Sequence, residues 1–191
     1  MVSETAIAQL KIDGQPRIIV LTGIMAAGKS TVARLLAQRF ARGVYIEADA
    51  LQRMIVSGGQ WVVEPGEPQG AAKAQLLLRL KNVCLLARSF YEAGFTVVME
   101  DIILGERWEQ LQEELSGLPF SLVVLAPRLD VVVQQRDKHR GKSPQGEAWA
   151  TYLNQSLRET MADAGLWLDS SEQTPSQTVE QILQQLGLAT V

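Results

Sequence analysis

The chain has 191 residues, 47% of them hydrophobic and 20% charged, with a formal net charge of −3. That composition suits one α/β domain with a substantial core. It argues against a broad nucleic-acid or anionic-membrane surface, but not against a local phosphate pocket. The single cysteine, Cys84, excludes an intramolecular disulfide and lies in an apolar run, so it reads as a buried small hydrophobe. No stretch reaches the roughly 18 unbroken apolar residues of a membrane span. The start lacks a basic region followed by an apolar one. A cytoplasmic monomer or homodimer is expected, acting on neither membrane nor nucleic acid.

Residues 1–16 are mixed in character and read as a loosely attached leader; 17–191 read as one domain. Residues 17–22 form a short β-branched apolar run, predicted as a strand buried on both faces. A glycine-bounded loop follows at 23–30. Residues 30–40 then carry Val32, Leu35, Leu36 and Phe40 at helical spacing. A second strand is predicted at 44–47, running into Asp49 and a helix that fades toward 57–59. Residues 57–70 hold six breakers, Gly58, Gly59, Pro65, Gly66, Pro68 and Gly70, and read as a substrate-side loop carrying Trp61, Glu64 and Glu67.

A long helix fits 71–93, with Gly94 as its stop. The third strand, 95–99, ends at Glu100 and Asp101. A helix near 106–116, a strand at 120–125 and a helix at 130–135 follow. A basic, lid-like segment spans 136–146. A helix near 147–161, a short strand at 166–169 and a last amphipathic helix from Thr174 to about Leu186 complete the chain, with Pro175 in that helix's first turn. Strands alternating with helices imply an α/β three-layer sandwich: a five-stranded parallel sheet with helices on both faces.

Residues 23–30 read Gly-Ile-Met-Ala-Ala-Gly-Lys-Ser, the Walker A pattern, between a buried strand and a helix as the motif requires. Gly23 and Gly28 allow backbone angles that a Cβ forbids, so successive amides can face phosphate. Gly23, Met25, Ala26, Ala27, Gly28, Lys29, Ser30 and Thr31, with Arg136 from the later basic run, are the expected nucleotide-binding set. Lys29 would reach the outer phosphates of ATP, and the Ser30 hydroxyl would hold Mg²⁺.

Glu100 and Asp101 close a strand whose carboxyl end faces the ligand crevice. Either can serve Mg²⁺, and the sequence leaves the choice open. Asp49 stands at the equivalent point after the second strand. It can take a proton from an attacking hydroxyl, bind substrate, or cap the next helix. Arg136, Lys138, His139, Arg140 and Lys142 form a basic run that can close over the nucleotide; Arg136 and Arg140 are the favoured pair for charge in flight. Residues 168–171 can line the nucleotide base. Of the four tryptophans, Trp61 is the one expected near ligand.

Residues 21–31, 45–49, 97–101, 136–140 and 168–171 together resemble the adenylate kinase-like group of P-loop kinases, closest to its chloramphenicol phosphotransferase-like and gluconate kinase-like branches. The resemblance implies transfer of the γ-phosphoryl group of ATP to a small-molecule hydroxyl. It matches Asp49 to the residue that binds or deprotonates the acceptor, and Arg136 and Arg140 to lid arginines. Residues 57–70 carry no substrate motif. Arg53, Arg79 and Arg88 lack the setting of arginines that hold a nucleoside monophosphate. The alternatives are a nucleoside or nucleotide kinase, a nucleotide-dependent switch and an end-processing polynucleotide kinase. The missing Asn-Lys-x-Asp disfavours a GTPase switch, and the acidic balance disfavours a polynucleotide kinase.

Overall fold

The computed structural model describes residues 11–136 and 146–188. Five parallel strands form one sheet: β1 (Ile18–Gly23), β2 (Gly43–Glu47), β3 (Thr96–Glu100), β4 (Phe120–Leu125) and β5 (Leu166–Leu168). Their spatial order is β2-β3-β1-β4-β5. Every residue of β1 and β3 is buried, as strands covered on both faces require. The chain skips outward from β1 to β2, returns to β3, then crosses β1 to reach β4. The carboxyl ends of β1 and β3 therefore flank the crevice where an α/β sheet takes its ligands.

The helices are α1 (Lys29–Ala37), α2 (Ala48–Arg53), α3 (Gly70–Glu92), α4 (Glu106–Glu114), α5 (Leu129–Val131), α6 (Glu147–Met161) and α7 (Pro175–Gln185). α1 buries Val32, Ala33, Leu36 and Ala37 and packs on β3 and α7. α3 buries Leu80, Val83, Cys84 and Ala87 and packs on β3, α2 and α4. Burial pushes the Cys84 thiol up to about 12, so it is a packing residue and not a nucleophile. α7 begins with a full capping box: Thr174 accepts from the Gln177 amide, and the Gln177 side chain accepts from the Thr174 amide. Among the described residues no helix is long and apolar enough to cross a membrane.

Two features differ from the sequence reading. The leader is tied at Ile12, which pairs in parallel with Phe40; its amide donates to the Arg39 carbonyl at 2.7 Å. The helix expected at 130–135 is a single α turn that passes into a π turn at Val132–Arg136. Widening of this kind inserts a residue into the helical ladder. Arg140 and most of the basic run, with the side chain of Arg136, lie outside the described residues.

β1 leaves the sheet through a close contact. Gly23 has φ 140°, and a Cβ on it would stand 2.3 Å from the carbonyl oxygen of Leu125, its partner on β4.

Candidate active site

The loop after β1 turns through conformations that few side chains tolerate. Ala26 has φ 56° and is the only non-glycine at positive φ among the described residues. Such strain persists where surrounding structure enforces it, commonly at a site. Gly28 follows at φ 97°, with open space where its Cβ would be. Lys29 folds back, its Nζ donating to the Ile24 carbonyl at 2.9 Å. An anion cradle at a helix N-terminus has this build, so the loop fits the phosphates of a nucleotide.

β3 delivers the acidic pair beside that loop. Register sets Glu100 opposite Leu21 of β1 and Glu47 of β2. Beyond the ladder, the Asp101 amide still reaches the Leu21 carbonyl at 3.2 Å, and the Ile103 amide donates to the buried Thr22 hydroxyl at 2.9 Å. Neighbouring residues on an extended chain point to opposite faces, and here the two carboxylates part company. Glu100 accepts from the Ser30 hydroxyl at 2.9 Å. Asp101 turns toward α3 and takes a two-pronged contact from Arg79, with Nε to Oδ2 at 3.2 Å, plus its neighbour's amide from Ile102 at 2.7 Å.

Burial raises the Glu100 carboxyl above its ordinary value; nearby Lys29 and the Ser30 hydrogen bond work against that rise. The Tyr45 hydroxyl, 3.5 Å from Glu100, is pushed up by burial and by that carboxylate. Ser30 and Glu100 are thus the side chains able to hold a divalent cation next to the phosphate cradle. Among the described residues no cluster of three or more acidic, histidine or cysteine side chains is available for one. Mg²⁺ takes one or two protein oxygens and fills its shell with water and phosphate, and Ser30 with Glu100 offers a donor set of that kind.

Asp49 begins α2 and stands on the opposite wall, 42% exposed. Arg79 Nη1 donates to its Oδ1 at 3.2 Å, so one guanidinium spans Asp101 and Asp49. Arg79 is 7% exposed and anchors both. The other two arginines considered for a nucleoside monophosphate are engaged elsewhere. Arg53 pairs with Glu47 at 3.0 Å, and Arg88 donates to the Glu114 carbonyl at 2.9 Å.

Lys29, Ser30, Asp49, Arg79, Glu100 and Asp101 open onto one cavity of about 470 Å³, within the range of small-molecule sites. The loop supplies Met25, Ala26, Gly28, Lys29, Ser30 and Thr31; Asp49, Glu100 and Asp101 also line it. Gly23 and Ala27 support the loop from the core side. The far wall is aromatic: Trp61 from the 57–70 segment, with Trp149 and Tyr152 from α6. Gln75 of α3 holds that segment, accepting from the Gln60 amide at 2.7 Å and donating to the Gly58 carbonyl at 2.8 Å. Trp108 packs edge-on against Phe120, and Trp167 lies under Arg158. Residues 168–171 do not line the cavity. Ser171 instead accepts from the Arg128 amide at 2.8 Å.

Four contributors escaped sequence reasoning: Arg79 as the bridging cation, Arg107, Trp149 and Tyr152. The two arginines had left a signal. Each is a charge on an otherwise apolar helical stripe, Arg79 with Leu76, Leu80 and Val83, and Arg107 with Leu111 and Leu115.

A family model described as chloramphenicol phosphotransferase-like protein matches residues 16–187. A comparison with curated protein sequences finds no match. Among solved structures, an unliganded sugar kinase from Janibacter sp. HTCC2649 superposes with a TM-score of 0.68 at 21% identity, covering 91% of this chain and 96% of that one. The tunicamycin resistance protein of Deinococcus radiodurans gives 0.68 at 21%, covering 91% and 97%. A gluconokinase from Sinorhizobium meliloti 1021 gives 0.63 at 20%, covering 92% and 94%. These likenesses speak for the fold; the family match, the loop and the cavity it opens onto carry the assignment further. The chain is a member of the chloramphenicol phosphotransferase-like family, a phosphotransferase family built on the P-loop kinase fold.

Proposed function

We propose that this protein transfers the γ-phosphoryl group of ATP to a hydroxyl of a small molecule. The observation that carries the reading is one cavity shared by two chemistries: a phosphate cradle with Lys29 and Ser30, and a carboxylate, Asp49, facing it from α2. In this scheme the loop amides and Lys29 hold the phosphates. Ser30 and Glu100 would hold Mg²⁺, which when bound supplies charge neutralisation at the phosphate oxygens. Asp101 is not assigned to the metal, since Arg79 occupies both of its oxygens.

Asp49 orients the acceptor hydroxyl and takes its proton as the oxygen attacks phosphorus. Arg79 keeps the Asp49 carboxylate aimed by anchoring it to the buried Asp101. Arg136 and Arg140, by family resemblance, close over the phosphates from the lid-like segment. The aromatic wall of Trp61, Trp149 and Tyr152 shapes the acceptor's place. Asp101 leaves Arg79 no second face for a nucleoside monophosphate, which favours a metabolite or antibiotic over a nucleotide as acceptor.

The test is ATP consumption with Mg²⁺, alone and with a panel of aminocyclitols, amphenicols, sugar acids and nucleosides. Acceptor-dependent ADP release with a phosphorylated product is the expected result. Tight nucleotide binding with no stimulated turnover across the panel counts against the reading and toward a nucleotide-dependent switch.

A further inference from the structure

Arg107 enters the cavity from the first turn of α4 and is 9% exposed. The other cations of this cavity have partners: Lys29 donates to the Ile24 carbonyl, and Arg79 joins Asp101 and Asp49. The Arg107 guanidinium has no carboxylate within ion-pair distance and no hydrogen-bond acceptor among the described residues. Its charge is disfavoured first by burial. Asp101 and Glu106 offset this from longer range, and Arg79 adds repulsion. The nearest buried carboxylate, Asp101, is already taken by Arg79.

A buried guanidinium without a counter-ion is stabilised by any anion that reaches it, and its planar fork suits an oxyanion bidentately. The nucleotide phosphates are the less suitable candidate. Arg107 also lines a second, adjoining cavity bordered by Glu67, Pro68, Lys73, Leu77 and Gln155, to which residues 23–31 contribute nothing. Arg107 is therefore shared between the main cavity and a neighbouring one, lined from α3, α4 and α6, that the phosphate loop does not reach.

We propose that Arg107 binds an anionic group of the acceptor, so that the substrate is a hydroxyl-bearing carboxylic acid and not a neutral alcohol. This rests on the phosphotransferase reading above. The acceptor hydroxyl meets Asp49, its carboxylate meets Arg107, and its carbon frame lies along Trp149 and Tyr152. No covalent step beyond phosphoryl transfer is involved.

The experiment compares hydroxy acids, aldonic and uronic acids among them, with their own primary amides, which keep the shape and drop the charge. Wild type should favour acid over amide by about 100-fold or more in kcat/KM, because a desolvated cation left unpaired penalises the neutral isostere. R107Q should shrink that ratio to about 10-fold or less, acting mainly on KM for the acid, with R107K between the two. KM for ATP should move less than about twofold. Equal turnover of acid and amide by wild type overturns the inference and leaves the phosphotransferase reading standing. So does a rise in KM for ATP as large as that for the acid, which would assign Arg107 to phosphate. Equal turnover with a lowered melting temperature in R107Q would assign it to the fold. Transfer to no acceptor of either kind removes the phosphotransferase reading, and this one with it.

Discussion

On the nucleotide side of the cavity, residues 23–31 come from one unbroken stretch, and much of what they offer is backbone. On the side where we place the acceptor, Asp49, Arg79, Asp101, Arg107 and Trp149 come from five places along the chain, and what they offer is side chains. The two halves also differ in how they handle charge. The loop disperses positive charge over amides and a helix end. The acceptor side concentrates it in two guanidiniums, one bound between Asp101 and Asp49 and one without a counter-ion in reach. A cradle made from backbone serves any nucleotide-using relative. A pocket made from converging side chains can be respecified residue by residue.

The comparison breaks first at Lys29. Lys29→Ala should lower phosphoryl transfer by about 10³-fold or more for every acceptor, with the fold intact, because it removes a charge aimed at the phosphates. Retained activity would take the loop out of the chemistry. Next is Arg79, whose loss should be felt as stability before activity. Arg79→Met leaves the buried Asp101 without its cation and should cost about 3–5 kcal/mol by urea denaturation. Replacing Asp101 by Val as well should recover most of that loss, since an apolar pair of comparable volume is tolerated. A single variant as stable as wild type would show that the bridge is incidental.

Asp49→Asn should lower kcat by about 10²-fold while leaving ATP affinity within about twofold, the mark of a group that acts on the acceptor. An unchanged rate would leave Asp49 as a partner of Arg79 in the first turn of α2 and nothing more.

The smallest effect concerns Glu100, where the two halves meet. Burial raises its carboxyl, so the folded state holds that proton more tightly than the unfolded chain does. Its contribution to stability is present in acid and is lost as pH rises through the raised value. Glu100→Gln has no such loss. Its melting temperature should exceed that of wild type by a few degrees at about pH 7.5, and the gap should shrink toward about pH 4. A gap that widens in acid would mean that Lys29 and Ser30 outweigh burial.

The division between the halves also explains how much of the molecule is legible in its sequence. The strands could be read because residues such as 18–21 and 97–99 are continuous apolar runs, and a doubly covered strand needs nothing else. The loop could be read because its residue pattern is contiguous and stands between an apolar run and a helical stripe. The parting of Glu100 from Asp101 could not, because it depends on which neighbour lies across each face of the strand, α1 with Ser30 or α3 with Arg79. Arg79 and Arg107 were hidden for a related reason. Their helices have ordinary apolar stripes, and what the charges meet is decided by chain segments that arrive from elsewhere. The π turn before the lid-like segment has no sequence signature, because residues 132–136 suit an α-helix equally well.

The loop's two glycines answer to different constraints. Gly28 has open space where a Cβ would stand, and what calls for glycine there is its φ of 97°. Gly23 is wedged against the Leu125 carbonyl and answers to β4. A descendant of this chain that had abandoned ATP could lose Lys29, and could lose Gly28 once the turn relaxed from its positive φ, yet it would still be obliged to keep Gly23, where the Leu125 carbonyl leaves no room for a Cβ. The first glycine of such a motif is therefore a fossil of the sheet, and in a degenerate relative its survival would say nothing about catalysis.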